Sequence, residues 1–282
     1  MMNDIFLETG IGDIIQDRER LRGLLALEKQ RRGIETSALV FVGMHNVAQH
    51  WWCTQSAVLK SRANELMFFA VYLHDRIVYA HRLGLTDELP RRQEALLNIG
   101  SDLTWNDVEK LLKKEASEPD KHKVDQERAG RLALMNELEQ DPFQRGVSDQ
   151  ALHAEKHLSI RWNFRWGRYS VVGMPDGITE EFVYEYKNTR NRYLLRYAKP
   201  VALAQADLYG YFFQRPKKRV QIRITEEDKI ETYEELIDIG RAEETLAAFA
   251  QVDEGKPARP PVPWKCRCCE FRAECPISQA KA

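Results

Sequence analysis

Two stretches rich in β-forming residues, Arg168 to Met174 and Phe182 to Lys187, flank the tripeptide Pro175-Asp176-Gly177. Proline presets a turn dihedral, and aspartate and glycine tolerate turn geometry. The pattern therefore predicts two adjacent antiparallel strands joined at that point. Such a hairpin brings Asp176 and Glu185 together at one end of a sheet. Side chains alternate along a strand, so Glu185 and Lys187 share a face while Tyr186 points away. Two carboxylates and an ammonium converging on one point suit a hard divalent cation, Mg²⁺ or Mn²⁺, and the polarisation of a phosphate. The blander alternative is a solvated strand face, because an aspartate followed by Glu-x-Lys is a common combination.

The surrounding chain reads as α/β with a mixed central sheet. Periodicity predicts a helix over 14–32, a loop entering a helix over 46–61 around Cys53, and an apolar helix over 64–83 that carries His74 and His81. Residues 85–149 are polar and charged. They read as a helical insertion with a helix near 126–139 and an exposed stretch from Lys113 to Lys123. Strands are expected at 158–166, 168–174, 182–187 and 219–224, with helices over 192–213 and 233–251. Pro257, Pro260, Pro261 and Pro263 then form an extended linker, because closely spaced prolines oppose helix and favour polyproline geometry. This divides the chain into an N-terminal helical region (1–84), the insertion (85–149), a core (150–252) and a C-terminal segment (253–282).

The chain has 282 residues, 43% of them hydrophobic, and a net charge of −1. That is enough to bury a substantial core and argues against coating nucleic acid by bulk charge. Local basic strips at Lys217-Lys218-Arg219 and from Arg190 to Arg196 are compatible with a phosphodiester partner. No run approaches the ~20 apolar residues of a membrane span. No basic apolar leader opens the sequence, and the expected compartment is the cytoplasm.

Four of the five cysteines, Cys266, Cys268, Cys269 and Cys275, fall in the last seventeen residues, whereas Cys53 lies far upstream. In a reducing compartment clustered cysteines point to a metal rather than disulfides. Cys266-x₂-Cys269-x₅-Cys275 lacks the second close ligand pair of a zinc knuckle. Three near thiolates and one remote one suit an iron–sulfur cluster, which takes four cysteines. A zinc staple is the competing assignment. Cys268 is the spare, since using it removes the two-residue spacer.

The ordered set Cys53, a helical histidine, Asp176, Glu185-x-Lys187, Gln205-x₃-Tyr209 and Cys266-x₂-Cys269-x₅-Cys275 resembles the RecB/AddB-type PD-(D/E)XK exonucleases that carry an iron–sulfur cluster. Within that group it looks most like the CRISPR-associated exonucleases of spacer acquisition (Cas four). The resemblance runs from about residue 45 to 276, apart from the insertion. It implies a restriction-endonuclease-like core and a metal-dependent DNA exonuclease acting on single-stranded ends, in antiviral adaptation or in recombination and repair. A non-cleaving DNA-end adaptor for an integrase is the rival. Asp176 and Glu185 are then the carboxylates for Mn²⁺ or Mg²⁺, Lys187 the group that orients the attacking water, and Gln205 and Tyr209 the pair that positions the substrate backbone. Cys53, Cys266, Cys269 and Cys275 hold a 4Fe–4S cluster. His74 is chosen as the metal histidine over His81. His153 and His157 read as surface or substrate-side residues, and Glu155 as an additional acidic group near the site. Trp162, Trp166 and Tyr169 are candidates for stacking on bases, against ordinary packing. The implied partners are DNA and an integrase or helicase, with self-association into a homo-oligomer allowed and no membrane partner.

Overall fold

The computed structural model describes residues 10–32, 39–117 and 149–279. They fold as mixed α/β with two separate mixed sheets. Two compact units interleave along the chain. One is drawn from the described parts of Met1–Asn46, Val58–Glu109 and Arg161–Gly173, the other from Val47–Ala57, Lys110–Ile160 and Met174–Ala282.

The first unit contains α1 (Ile11–Gln16), α2 (Arg18–Arg32), β1 (Val40–Gly43), α5 (Glu65–Arg82), α6 (Gln93–Leu96), β2 (Trp162–Trp166) and β3 (Tyr169–Gly173). The helices α3 (Met44–Ala48), α4 (His50–Ala63) and α7 (Trp105–Ser117) each run from one unit into the other. In the sheet, β3 is central, parallel to β1 and antiparallel to β2. The apolar helix α5 packs on all three strands. A Cβ at Gly43 would come within 2.5 Å of the Phe68 ring, so this close approach of strand to helix depends on glycine. Phe41, Phe68, Phe69, Leu73, Ile77 and Val172 form the heart of the core with Leu21 and Leu24 from α2. Burying each such side chain contributes roughly 1.5–3 kcal/mol.

The second unit is built on β4 (Gly177–Ile178), β5 (Phe182–Thr189), β6 (Lys217–Ile224) and β7 (Lys229–Leu236), in that spatial order. β5 and β6 are parallel, and the outer pairs are antiparallel. Between β5 and β6 runs α8 (Arg192–Phe213), the crossover helix that parallel neighbours require. Asn191 caps it by accepting the Leu194 N–H at 3.1 Å, and Gln214 closes it in the left-handed region. The buried face of α8 covers Val183, Val220, Ile222 and Ile224. α9 (Ile239–Asp253) packs on α8, and α10 (Pro263–Arg267) follows an irregular segment that contains the clustered prolines.

Helix 192–213 forms at its expected bounds, and 64–83 forms within one residue of them. The expected hairpin between 168–174 and 182–187 does not form. β3 is paired on both sides by β1 and β2, so neither edge is free for β5. The strand that pairs with β5 is the short β4. Its turn lies at Thr179–Phe182, where Thr179 N–H donates to the Phe182 carbonyl at 2.9 Å and Phe182 N–H to Thr179 Oγ1 at 3.0 Å. The stretch expected as helix from Tyr233 begins instead as strand β7, whose alternating residues pair with β6 before Asp238 caps α9. β1 was not expected as a strand. The region over 46–61 is helical rather than a loop entering a helix, broken by a turn at Gln49 and kinked at Cys53, which is extended at φ −168° and ψ 113°. The expected helix near 126–139 lies outside the described residues.

Candidate active site and thiol cavity

β4 and β5 bring two carboxylates together by register. Gly177 pairs with Tyr184, so Asp176, one residue before the pair, approaches Glu185, one residue after it. Asp176 Oδ2 accepts the Tyr186 N–H at 2.7 Å, which fixes the aspartate against the backbone between Glu185 and Lys187. A Cβ at Gly177 would meet His157 at 2.4 Å, so the chain entering this corner has no room for a larger residue.

Glu185 is 1% exposed. Its Oε1 lies 2.5 Å from Lys187 Nζ. Neither carboxylate oxygen has a hydrogen-bond partner of good geometry among the described residues. The Lys187 contact at Oε1 is thus an ion pair by proximity, and Oε2 lacks even that. Burial, reinforced by the Asp176 charge and opposed by Lys187, pushes the Glu185 carboxyl up to about 8. The Lys187 side chain is 36% exposed. Burial works against its charge, but Glu185 and Asp176 outweigh that and raise it.

α8 supplies the third side of the site. Gln205 Nε2 donates to the Tyr209 hydroxyl at 3.0 Å, and both residues are buried. Burial and the fields of Glu185 and Asp176 raise the phenol well above its ordinary value, while Gln205 and a backbone hydrogen bond with Met174 oppose the rise. The pair four residues apart on the helix therefore sits within the electrostatic reach of both acids. Asp176, Glu185, Lys187, Gln205 and Tyr209 are brought together.

Other expected residues have different settings. His74, in the first unit, is buried, with Nδ1 2.8 Å from Asp75 Oδ1 and 3.2 Å from Arg161 Nη2. Asp75 in turn receives Arg161 at 2.6 and 2.7 Å. His81 Nδ1 lies 3.1 Å from the Thr86 carbonyl. Glu155 belongs to the opposite face of β5 from Glu185. It accepts from Arg219 and Gln221, each at 2.8 Å, pairs with His157 at 2.9 Å, and donates its backbone N–H to Tyr184 OH. His153 is 4.0 Å from Asp149. Trp162 and Tyr169 are buried in the first unit, where Trp162 packs against Tyr79, so packing rather than base stacking is their role. The basic strips are largely exposed, but many of their charges are paired with acids. Lys218 is buried on Asp207, Arg219 pairs with Glu155 and Glu234, Arg190 with Glu226, and Arg192 with Glu227 and Glu231.

Cys53, Cys266, Cys269 and Cys275 line one cavity of about 20 Å³, whereas Cys268 is exposed and does not. Burial raises the Cys53 thiol, and the neighbouring Cys275 and Cys269 add to the rise. Among the described residues no three His, Cys, Asp or Glu side chains converge at metal-holding distances. The donor set thus suits a thiophilic centre in type and number, but the sulfurs surround the space without closing on one point. Sequence reasoning missed Lys265 and Trp52, which share this cavity. Their only sequence signal was adjacency to Cys266 and Cys53.

No family model and no curated protein matches the sequence. A solved structure described as "Crystal structure of SSO0001" is similar at 16% identity, with 91% of this chain and 96% of that chain covered and a TM-score of 0.41. That likeness is too loose to carry over a fold or a role. Among the described residues no helix is long and apolar enough to cross a membrane.

Proposed function

We propose that this chain is a metal-dependent deoxyribonuclease of the PD-(D/E)XK class, related to the RecB/AddB-type exonucleases, that hydrolyses phosphodiesters at single-stranded DNA ends. The observation that carries the reading is the Glu185 carboxylate, buried beside Asp176 with an oxygen that lacks a hydrogen-bond donor among the described residues and with the Lys187 ammonium on the same strand face. A buried carboxylate is costly unless something compensates it, and a divalent cation held by Asp176 and Glu185 would do so.

Bound there, Mg²⁺ or Mn²⁺ would supply Lewis-acid stabilisation of the phosphate and a water of lowered pKa. Asp176, held by Tyr186 N–H, presents its other oxygen in one fixed direction. Lys187 provides an electrostatic donor for charge developing on the phosphate, and its partial exposure leaves it open to substrate. Gln205 and Tyr209 lock each other on α8 and set the wall against which the strand backbone lies. The test is cleavage of end-labelled single-stranded DNA with Mn²⁺. Activity lost in Asp176→Asn and in Lys187→Met supports the reading, and activity retained in either overturns the site. Binding of DNA ends without cleavage in the wild type would favour an adaptor to an integrase.

The four-thiol cavity is proposed to hold a 4Fe–4S cluster that ties the C-terminal segment to α4. A single zinc ion is the competing occupant of the same donor set. Iron, sulfide and zinc quantification after anaerobic purification separates the two.

A further inference from the structure

Lys265 is 8% exposed, which is unusual for a lysine without a carboxylate. Among the described residues it makes no ion pair with an acid. Its Nζ donates to the Trp52 carbonyl at 3.0 Å and lies 4.3 Å from the Trp52 ring centroid and 4.8 Å from that of Tyr197. Trp264 closes the group, 5.4 Å from Trp52 and 5.2 Å from Tyr197. These rings hold the ammonium in place by cation–π attraction and keep water from it. The same lysine lines the thiol cavity and interacts electrostatically with Cys53. Arg272 also lines the cavity, but it is exposed and therefore screened.

We infer that Lys265 is the fixed counter-charge of the four-thiolate centre, a positioning residue that lowers the cost of collecting negative charge at Cys53, Cys266, Cys269 and Cys275. The inference rests on the iron–sulfur reading above. Four thiolates on a 4Fe–4S core leave a net negative charge, and net charge near the cluster is among the factors that set its potential. A buried cation lining the same cavity stabilises that charge, and stabilises it more after one electron is added. Dispersal of the ammonium over two rings explains how the cation is tolerated before any centre is bound. Burial lowers its affinity for the proton, and the opposing pull of Cys53 is the smaller effect.

The test is a dithionite titration of the whole protein, purified anaerobically, as wild type, Lys265→Met and Lys265→Arg. With equal iron and sulfide loading, Lys265→Met is expected to take up the electron about tenfold less favourably, a fall of about 59 mV for a one-electron couple. Lys265→Arg should recover most of that fall. An unchanged potential in Lys265→Met overturns the counter-charge. A wild type that contains no iron or sulfide overturns the cluster reading and the inference with it, which is a separate result. Should Lys265→Met not fold, iron content in Lys265→Arg and Lys265→Gln decides. Higher content in the arginine variant supports the inference, and equal content overturns it.

Discussion

Asp176 Oδ2 accepts the backbone N–H of Tyr186 at 2.7 Å, so one oxygen of the proposed ligand is committed to the strand that carries the other. The carboxylate cannot rotate away without breaking a hydrogen bond at the edge of the short strand β4. Pre-organisation of this kind aims charge before a ligand arrives.

Asp176→Asn can keep that hydrogen bond through its amide oxygen while the negative charge is lost. The variant should fold with an unchanged melting temperature and lose cleavage by about 10²-fold or more, the scale for removing one pre-organised electrostatic group. Lys187→Met should lose about as much. Initial rates on labelled single strands, set beside thermal melts, check both. A large drop in melting temperature for Asp176→Asn would show that the charge, not the hydrogen bond, maintains the corner.

Glu185 gives the pH dependence. Its folded carboxyl is raised to about 8 from an ordinary 4.5, so the folded state holds its proton longer than the unfolded chain does. The corresponding stability is complete below 4.5, declines as the unfolded carboxyl ionises, and is fully lost above about 8. Urea unfolding between these limits should show this decline in the metal-free wild type and a smaller one in Glu185→Gln. A cation on the carboxylate reverses the sign. Mn²⁺ should bind with release of close to one proton at neutral pH, measured as a buffer-dependent calorimetric heat, and release little in Glu185→Gln.

The cysteines should divide four to one. Cys53→Ser, Cys266→Ser or Cys275→Ser removes a donor from the cavity, and each should lose visible absorbance and bound iron. Cys268→Ser changes a residue outside the cavity and should leave both intact. Iron assays on the four variants check this, and equal loss in Cys268→Ser would reassign the ligand set.

Much of the site was legible in the sequence because its parts are local. Glu185 and Lys187 alternate on one strand, and Gln205 and Tyr209 are one helical turn apart, so period alone puts each pair on a common face. The hairpin partner was not legible. Val171 and Val172 are β-formers whichever strand they pair with, and only the occupation of both edges of β3 by β1 and β2 shows that β5 must find another neighbour. β7 was hidden for a related reason. Its glutamates favour helix locally, yet pairing to β6 and the Arg219–Glu234 ion pair override the propensity. Lys218 looked like part of a basic strip because composition does not reveal that a lysine on the covered face of β6 points inward.

That inward lysine supports the last prediction. Lys218 and Asp207, 1% and 0% exposed, meet at 2.5 Å, and Lys218 Nζ also donates to the Leu236 carbonyl at 3.1 Å. Asp207 accepts the Asp238 N–H at 2.8 Å and lies 3.2 Å from Arg241. One ion pair therefore joins α8, β6, the end of β7 and the start of α9. Removing one partner of a buried pair strands the other charge, at a cost of roughly 3–5 kcal/mol. Lys218→Met should fall toward the lower end, since Arg241 and the Asp238 N–H still serve Asp207. Adding Asp207→Asn to Lys218→Met should recover part of the loss, because the stranded charge is gone while an acceptor for Asp238 N–H is kept. Denaturant unfolding of the two singles and the double closes the cycle. Strictly additive losses would mean that the two side chains are stabilised by their separate surroundings rather than by each other.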